Sequence, residues 1–439
     1  MTAEVQSPGS VEVVDVLLSK PSGAGKQIGL KLFVVEINLF EDILRNGMYG
    51  NIMIADAANI SGLFPITGAE TLKLTFKTPG MDNDLITGEF QIYSVSDKIT
   101  VKDGLQAYIL HFVVPELITD AQIPVWGTWE GYPMAIATTI FNEYYAAGGE
   151  KKPLNQIGAE AEEVTFTSPG WRPTKAINWL CSRAVPFDPN DLPGFLFFQT
   201  NKSYQLVNIS TLIKSTTNDF GEYTYTPNNV SAQNQGEEYV KDVQKEFFKI
   251  ESLEVKETYN GMKNLSSGFY ANRLLTLDIM KKSYETVDYD HISAFQTRPK
   301  LNQFSPYPDV LNRNPATYLT VYPQLADMYG RPGERKPAVS MTVKGSLGRG
   351  RISTILELDN FKLEITVPGR TDIEVGRTIK LYVPNTGPRG EEDKADRNED
   401  KFYSGRYLIT AIRHKVTLQK HMMIMEIVKE SILQDYNLS

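Results

Sequence analysis

The sequence predicts a mainly β chain with a smaller α/β part: two antiparallel β-barrels flanking a small α/β domain. Three observations lead there. A strand pattern occurs twice, once near each end of the chain. The 22 Tyr and 20 Phe, with many Val and Ile, favour pleated structure. Between the two copies the apolar spacing changes from strict alternation to the three-to-four-residue rhythm of helices.

The repeated pattern is Gly88-Glu89-Phe90-Gln91-Ile92-Tyr93-Ser94-Val95 against Gly405-Arg406-Tyr407-Leu408-Ile409-Thr410-Ala411-Ile412. Phe90 meets Tyr407, Ile92 meets Ile409 and Val95 meets Ile412. Lys98-Ile99-Thr100-Val101 then falls on Lys415-Val416-Thr417-Leu418 without a gap. Upstream, Thr71-Leu72-Lys73-Leu74-Thr75-Phe76 matches Thr378-Ile379-Lys380-Leu381-Tyr382-Val383. Two aligned blocks in the same order mark a duplicated β-domain.

A chain of 439 residues exceeds one hydrophobic core and predicts two to four domains. Hydrophobic residues at 41% and charged residues at 22% describe a soluble globular protein rather than a disordered one. No apolar run approaches the roughly 20 residues a bilayer span needs, so no membrane span is expected. Met1-Thr2-Ala3-Glu4-Val5 lacks a basic region before an apolar stretch, and no secretory leader is expected. The single cysteine, Cys181, excludes an internal disulfide and the paired-cysteine zinc and redox patterns, consistent with synthesis in a reducing cytoplasm. The net charge is −8 and no Lys/Arg cluster stands out, which disfavours tight DNA binding. An acidic surface could still face DNA without gripping it.

In chain order, Val11 to Leu18 alternates as a strand. Pro21-Ser22-Gly23-Ala24-Gly25-Lys26 is a flexible turn; a phosphate loop would need Ser or Thr where Gln27 stands. Leu32 to Phe40 is a strand, Glu41-Asp42-Ile43-Leu44 a short helical turn, and Asn46-Gly47 the reversal. Strands over 51–56, 71–77, 88–95 and 107–114 complete a first barrel within residues 1–118. Tyr132-Pro133 opens a helix with Ile136, Ile140, Phe141 and Tyr144 on one face. A second helix runs from Thr174 to Ala184, with Ala176, Ile177, Leu180, Cys181 and Ala184 as its stripe and Pro186 closing it. With the hairpin of 194–199 and 204–209 these form the α/β domain, residues 119–215. Residues 216–245, rich in Asn, Gln and Glu, form a connector. The second barrel takes residues 246–284 and 346–439, interrupted by an irregular, proline-bearing arm over 285–345 that is expected to lie on another subunit. The mixed charges of 388–401 mark a solvated loop tip.

Chemistry is sparse. His111, His291, His414 and His421 show no helical zinc pairing, and His414 and His421 flank a hairpin as surface strand residues. No Gly-x-Ser-x-Gly elbow is present. Asp188 with Asp191, or the 391–400 run, could be a glycosidase carboxylate pair, but both sit in loop-like sequence. Gly345-Ser346-Leu347-Gly348-Arg349-Gly350 has the wrong spacing for a dinucleotide fold. No catalytic residue, metal or cofactor is expected. Trp171 and Trp179 bracket the second helix and read as core aromatics; the alternative places Trp171 on a partner surface.

The chain resembles the baseplate hub proteins of contractile-tailed bacteriophages. The resemblance rests on Ile37-Asn38-Leu39-Phe40-Glu41-Asp42-Ile43 with Gly50 to Asp56, and on Leu72-Lys73-Leu74 before Thr78-Pro79-Gly80. It continues with Ala176 to Ala184 before Gly194-Phe195-Leu196-Phe197-Phe198, and with Ser404-Gly405-Arg406-Tyr407-Leu408-Ile409-Thr410. The resemblance implies two tail-tube-like barrels per subunit, a homotrimer presenting six similar units, and a virion location in the tail baseplate. Phe90, Ile92, Val95, Tyr407, Ile409 and Ile412 then belong to the strands that build the ring. Implied partners are the tail tube protein, the central spike protein and other baseplate proteins, with genomic DNA passing through unbound. A duplicated unit lets a threefold ring meet a sixfold one. The alternatives are the hub of a related injection particle, a tailocin or secretion-like machine, and a tail-associated cell-wall hydrolase.

Overall fold

Alternating apolar residues become strands almost wherever the sequence places them. The computed structural model describes residues 8–20, 27–81, 84–102, 104–146, 152–215, 219–225, 246–278, 282–307, 314–324, 345–385 and 399–435. The turn expected at 21–26 and most of the 388–401 loop lie outside these. The fold is mainly β, built from largely antiparallel sheets.

The first half contains β1 (Glu12–Ser19), β2 (Gln27–Gly29), β3 (Val34–Asp42), β4 (Tyr49–Asp56), β5 (Thr71–Lys77), β6 (Ile86–Lys102) and β7 (Leu105–Val113). They lie in the order β2-β1-β5-β6-β7-β4-β3. Along β4, Gly50, Ile52, Ile54 and Asp56 are buried while the residues between them are not, the period of two that a one-sided sheet imposes. Val16, Leu18, Ile37, Leu39, Ile52, Leu72, Leu74, Phe90, Ile92 and Phe112 share the core. Gly50 is required there: a Cβ would stand 2.3 Å from the Asn38 carbonyl oxygen and 2.5 Å from the Phe112 ring. The helical turn expected at 41–44 is not formed at Glu41 and Asp42. Both extend β3, because a strand from the far end of the chain pairs with them.

The α/β part contains β8 (Val125–Gly131), a helix at Pro133–Ile140, β9 (Leu154–Ile157), β10 (Val164–Trp171), a helix at Pro173–Arg183, β11 (Phe195–Gln199) and β12 (Tyr204–Asn208). The first helix continues as a π turn, Phe141–Tyr145. The wider turn shifts the buried face by one residue, so Tyr145 rather than Tyr144 enters the core. The second helix buries the predicted stripe of Ala176, Ile177, Leu180 and Cys181. Burial pushes the Cys181 thiol up to about 12, leaving it an inert core group.

The remaining strands are β13 (Asp219–Tyr225), β14 (Lys249–Ile250), β15 (Ser252–Glu257), β16 (Ala271–Asp278), β17 (Ser283–Asp290), β18 (Leu319–Gln324), β19 (Lys362–Pro368), β20 (Thr378–Tyr382), β21 (Gly405–Val416) and β22 (His421–Val428). Two expectations change here. The connector contains a strand, β13, parallel to β20 and β14. The arm is ordered in its described part: β17 and β18 flank β16, and a helix at His291–Phe295 follows β17. Pro323 masks the alternation of β18 and is accommodated because β18 is an edge strand. This segment also packs on its own chain. Arg298 pairs with Glu357 inside the fold, and Tyr307 joins Phe269 and Tyr270 in a small core.

Among the described residues no closed barrel is formed. The strands of both halves belong to one 14-stranded sheet. The second half comes nearest to closure, since Lys249–Ile250 pairs with β13 and, after Glu251, Ser252–Glu257 pairs with β19. Among the described residues no helix is long and apolar enough to cross a membrane.

Candidate functional site: the seam between the repeated halves

The repeat seen in the sequence is a repeat in hydrogen-bond register. Leu72 lies opposite Phe90, and Ile379 lies opposite Tyr407. On the other side of the same strands, Gln91 pairs with Val113 and Ile92 with Phe112, while Leu408 pairs with Val428 and Ile409 with Ile427. Each strand then slips by one residue at the same place, Tyr93 in β6 and Thr410 in β21, before pairing resumes at Ser94 and Ala411. Further across, the row Val95-Leu110-Ile52-Ile37 reappears as Ile412-Met425-Ile365-Leu253. The equivalence ends at β1 and β13, which meet β5 and β20 antiparallel and parallel respectively.

The halves are joined edge to edge by β21 and β3, from Ala411 opposite Asp42 to Val416 opposite Ile37. Side chains cross this seam into the other half: Val416 packs in the first core and Ile43 in the second. On its outer face, Arg413 Nε donates to Asn38 Oδ1 at 2.8 Å and Lys415 Nζ lies 3.1 Å from Glu36. Burial pushes the Glu36 carboxyl up, but hydrogen bonds from Asn38 and Lys415 and the Lys415 and Arg413 charges outweigh it and hold the group below the usual range.

Beneath the seam His414 and His421 are fully buried, not surface strand residues as the sequence predicts. His414 Nδ1 is 3.1 Å from His421 Nε2, and His414 Nε2 is 3.7 Å from Glu41 Oε1. The Phe76 ring of the first half stands edge-on to His421, 5.5 Å between centroids. Sequence spacing around the hairpin gave no sign that Glu41 and Phe76, far upstream, complete this group.

Of the six residues assigned to ring-building strands, Phe90, Ile92, Tyr407, Ile409 and Ile412 face the interiors of their own halves; Val95 alone is exposed, at 40%. His111 hydrogen-bonds Ser96 Oγ at 2.8 Å, and His291 lies 3.5 Å from Glu357 inside the fold. Asp188 and Asp191 share one cation, Lys214, at 3.6 and 2.6 Å. The Asn190 N–H, with Lys214 beside it, holds the Asp188 carboxyl below its usual range, the reverse of what a proton-donating acid requires. Trp171 and Trp179 both pack at the edge of the α/β core, 6.2 Å apart. Trp126 is 65% exposed, and no motif or spacing around it marks it in the sequence. Among the described residues no group of three or more His, Cys, Asp or Glu is placed to hold a metal ion.

No protein family and no curated protein matches the sequence. Solved structures match in fold. A tail protein from Neisseria meningitidis MC58 superimposes with a TM-score of 0.51 at 10% identity, over 95% of this chain and 96% of its own. The 43 kDa tail protein of prophage MuSo2 from Shewanella oneidensis gives 0.52 at 9% identity, over 95% and 98%. A type VI secretion component of Escherichia coli gives 0.40 at 8% identity, over 96% and 77%. By its likeness to the two tail proteins, the chain shares the fold of phage tail proteins.

Proposed function

We propose that the chain is the structural hub of a contractile phage-tail baseplate and carries no catalysis. Three copies form a ring of six similar units, which adapts the sixfold tail tube to a threefold central spike and forms part of the channel through which DNA leaves. The observation that carries this reading is the duplicated register: two halves of one chain repeat the same ladder, the same bulge and the same cross-sheet row. A subunit with two copies of a unit is the simplest bridge between threefold and sixfold neighbours. The fold shared with tail proteins supports the setting, and a net charge of −8 suits a conduit that must not retain phosphates.

The test is imaging and native mass measurement of the purified protein. A three-chain ring with six lobes is expected; a stable monomer or a ring of another order would refute the reading. The same preparation is expected to release no fragments from peptidoglycan, and release that persists through purification would favour the hydrolase alternative.

A further inference from the structure

The two halves repeat, but only one is covered. Ile412 and Val416 of β21 are 1% and 0% exposed, because β3 lies along that edge. The matching stretch of β6 is open: Val95, the counterpart of Ile412, is 40% exposed, and Ile99 further along is 57% exposed. Beyond Gln91 no described strand runs along the free edge of β6, and Tyr93 and Val101 add to the exposed apolar surface there. The complementary edge shows the same deficit. Ile37 and Leu39 of β3 are fully buried, whereas Val255, the counterpart of Leu39 in β15, is 42% exposed. Among the described strands β15 pairs with β19 alone.

We infer that β6 of one copy pairs antiparallel with β15 of a second copy, repeating between chains the β21–β3 seam found within each. This deepens the ring reading and rests on it. Carrying the register of the seam through the ladders of both halves sets Thr100 opposite Leu253, as Val416 stands opposite Ile37, and Ile99 opposite Glu254, as Lys415 stands opposite Asn38. The irregularities of the two edges then coincide: β6 bulges after Ser96, where Asp97 adopts φ 52°, and β15 slips between Val255 and Glu257, at Lys256. That register sets Asp97 opposite Lys256, and the two carry opposite charge. The contact is head-to-tail, so each copy offers one edge of each kind and the chain of contacts closes into a ring. It also removes two exposed apolar edges that would otherwise recruit strands at random.

The test uses the full chain with Cys181 left in place, since that thiol is buried. Residues opposite one another across antiparallel strands lie within disulfide reach. Under mild oxidation the double variant T100C/L253C is expected to give covalent species of two and three chains, and either single variant none. In a second arm, D97K and K256D are each expected to weaken association about fivefold per contact, with recovery when both are combined. A three-chain particle that yields neither cross-link nor charge rescue overturns this pairing and leaves the hub reading standing. A chain that stays monomeric and uncross-linked overturns both. Covalent dimers from T100C alone would mean a two-fold contact and also overturn it.

Discussion

His414 Nδ1 lies 3.1 Å from His421 Nε2 in a site closed to solvent, with the Glu41 carboxylate behind the first ring and Phe76 against the second. Burial, then the neighbouring His414, holds His421 well below the usual histidine range.

Acid should therefore loosen the seam. Above about pH 6.5 neither the folded nor the unfolded chain protonates His421; below it the unfolded chain takes up a proton that the folded chain refuses. Stability is complete above that pH and falls by up to about 1.4 kcal/mol per pH unit below it. Glu357, which burial raises to about 7, acts oppositely, since its folded form keeps a proton that the unfolded form loses. The informative quantity is the difference between variants. Urea unfolding at pH 7.5 and 5.5 should show a flatter pH dependence for His421→Gln than for the native chain; equal slopes would remove the histidine from the account.

One alanine substitution at equivalent positions should have two different outcomes. Ile412→Ala removes a buried side chain and should destabilise the subunit by about 2–5 kcal/mol. Val95→Ala, at the matching place in the uncovered half, should change subunit stability by less than about 0.5 kcal/mol while weakening self-association. Chemical denaturation and sedimentation, run on both variants, separate the two effects.

Gly369 lies directly against the His421 ring, where a Cβ would stand 2.1 Å from Cγ. Gly369→Ala should displace the histidine and destabilise the fold by about 1–3 kcal/mol through overpacking. A shift in the His421 ring resonances should accompany the lowered denaturation midpoint.

Asp120 closes the start of the Pro173–Arg183 helix, accepting from the Thr174 N–H at 2.7 Å and the Thr174 hydroxyl at 2.8 Å. Asp120→Ala should cost about 1–2 kcal/mol, as the loss of a charged cap does. Because Asp120 ends a short helix, Pro115–Asp120, that follows β7, hydrogen exchange should quicken on both sides of that contact.

Strands with plain alternation, such as β1, β5 and β7, were legible to within two residues, because a one-sided sheet writes its period into the chain. The duplication was legible too, since Phe90 and Tyr407 fill equivalent places opposite Leu72 and Ile379. Long-range pairing was not. Glu41 and Asp42 read locally as a turn and become strand only because Ile412 and Ala411 lie opposite them. β18 was hidden by Pro323, which an edge strand tolerates, and β17 by charged residues that interrupt its apolar alternation. The histidine pair was invisible as a buried site, since Phe76 and Glu41 arrive from more than three hundred positions away. The exposure difference between Val95 and Ile412 also has no trace in composition; both are apolar residues in matching strands.

Val416 seated in the first core and Ile43 in the second have a consequence for how the molecule comes apart. Each half borrows a side chain from the other, so neither is complete when excised. Heating should melt the pair of repeats in one cooperative step, and an ancestral single-repeat polypeptide would have obtained the missing residue only by associating with its own kind.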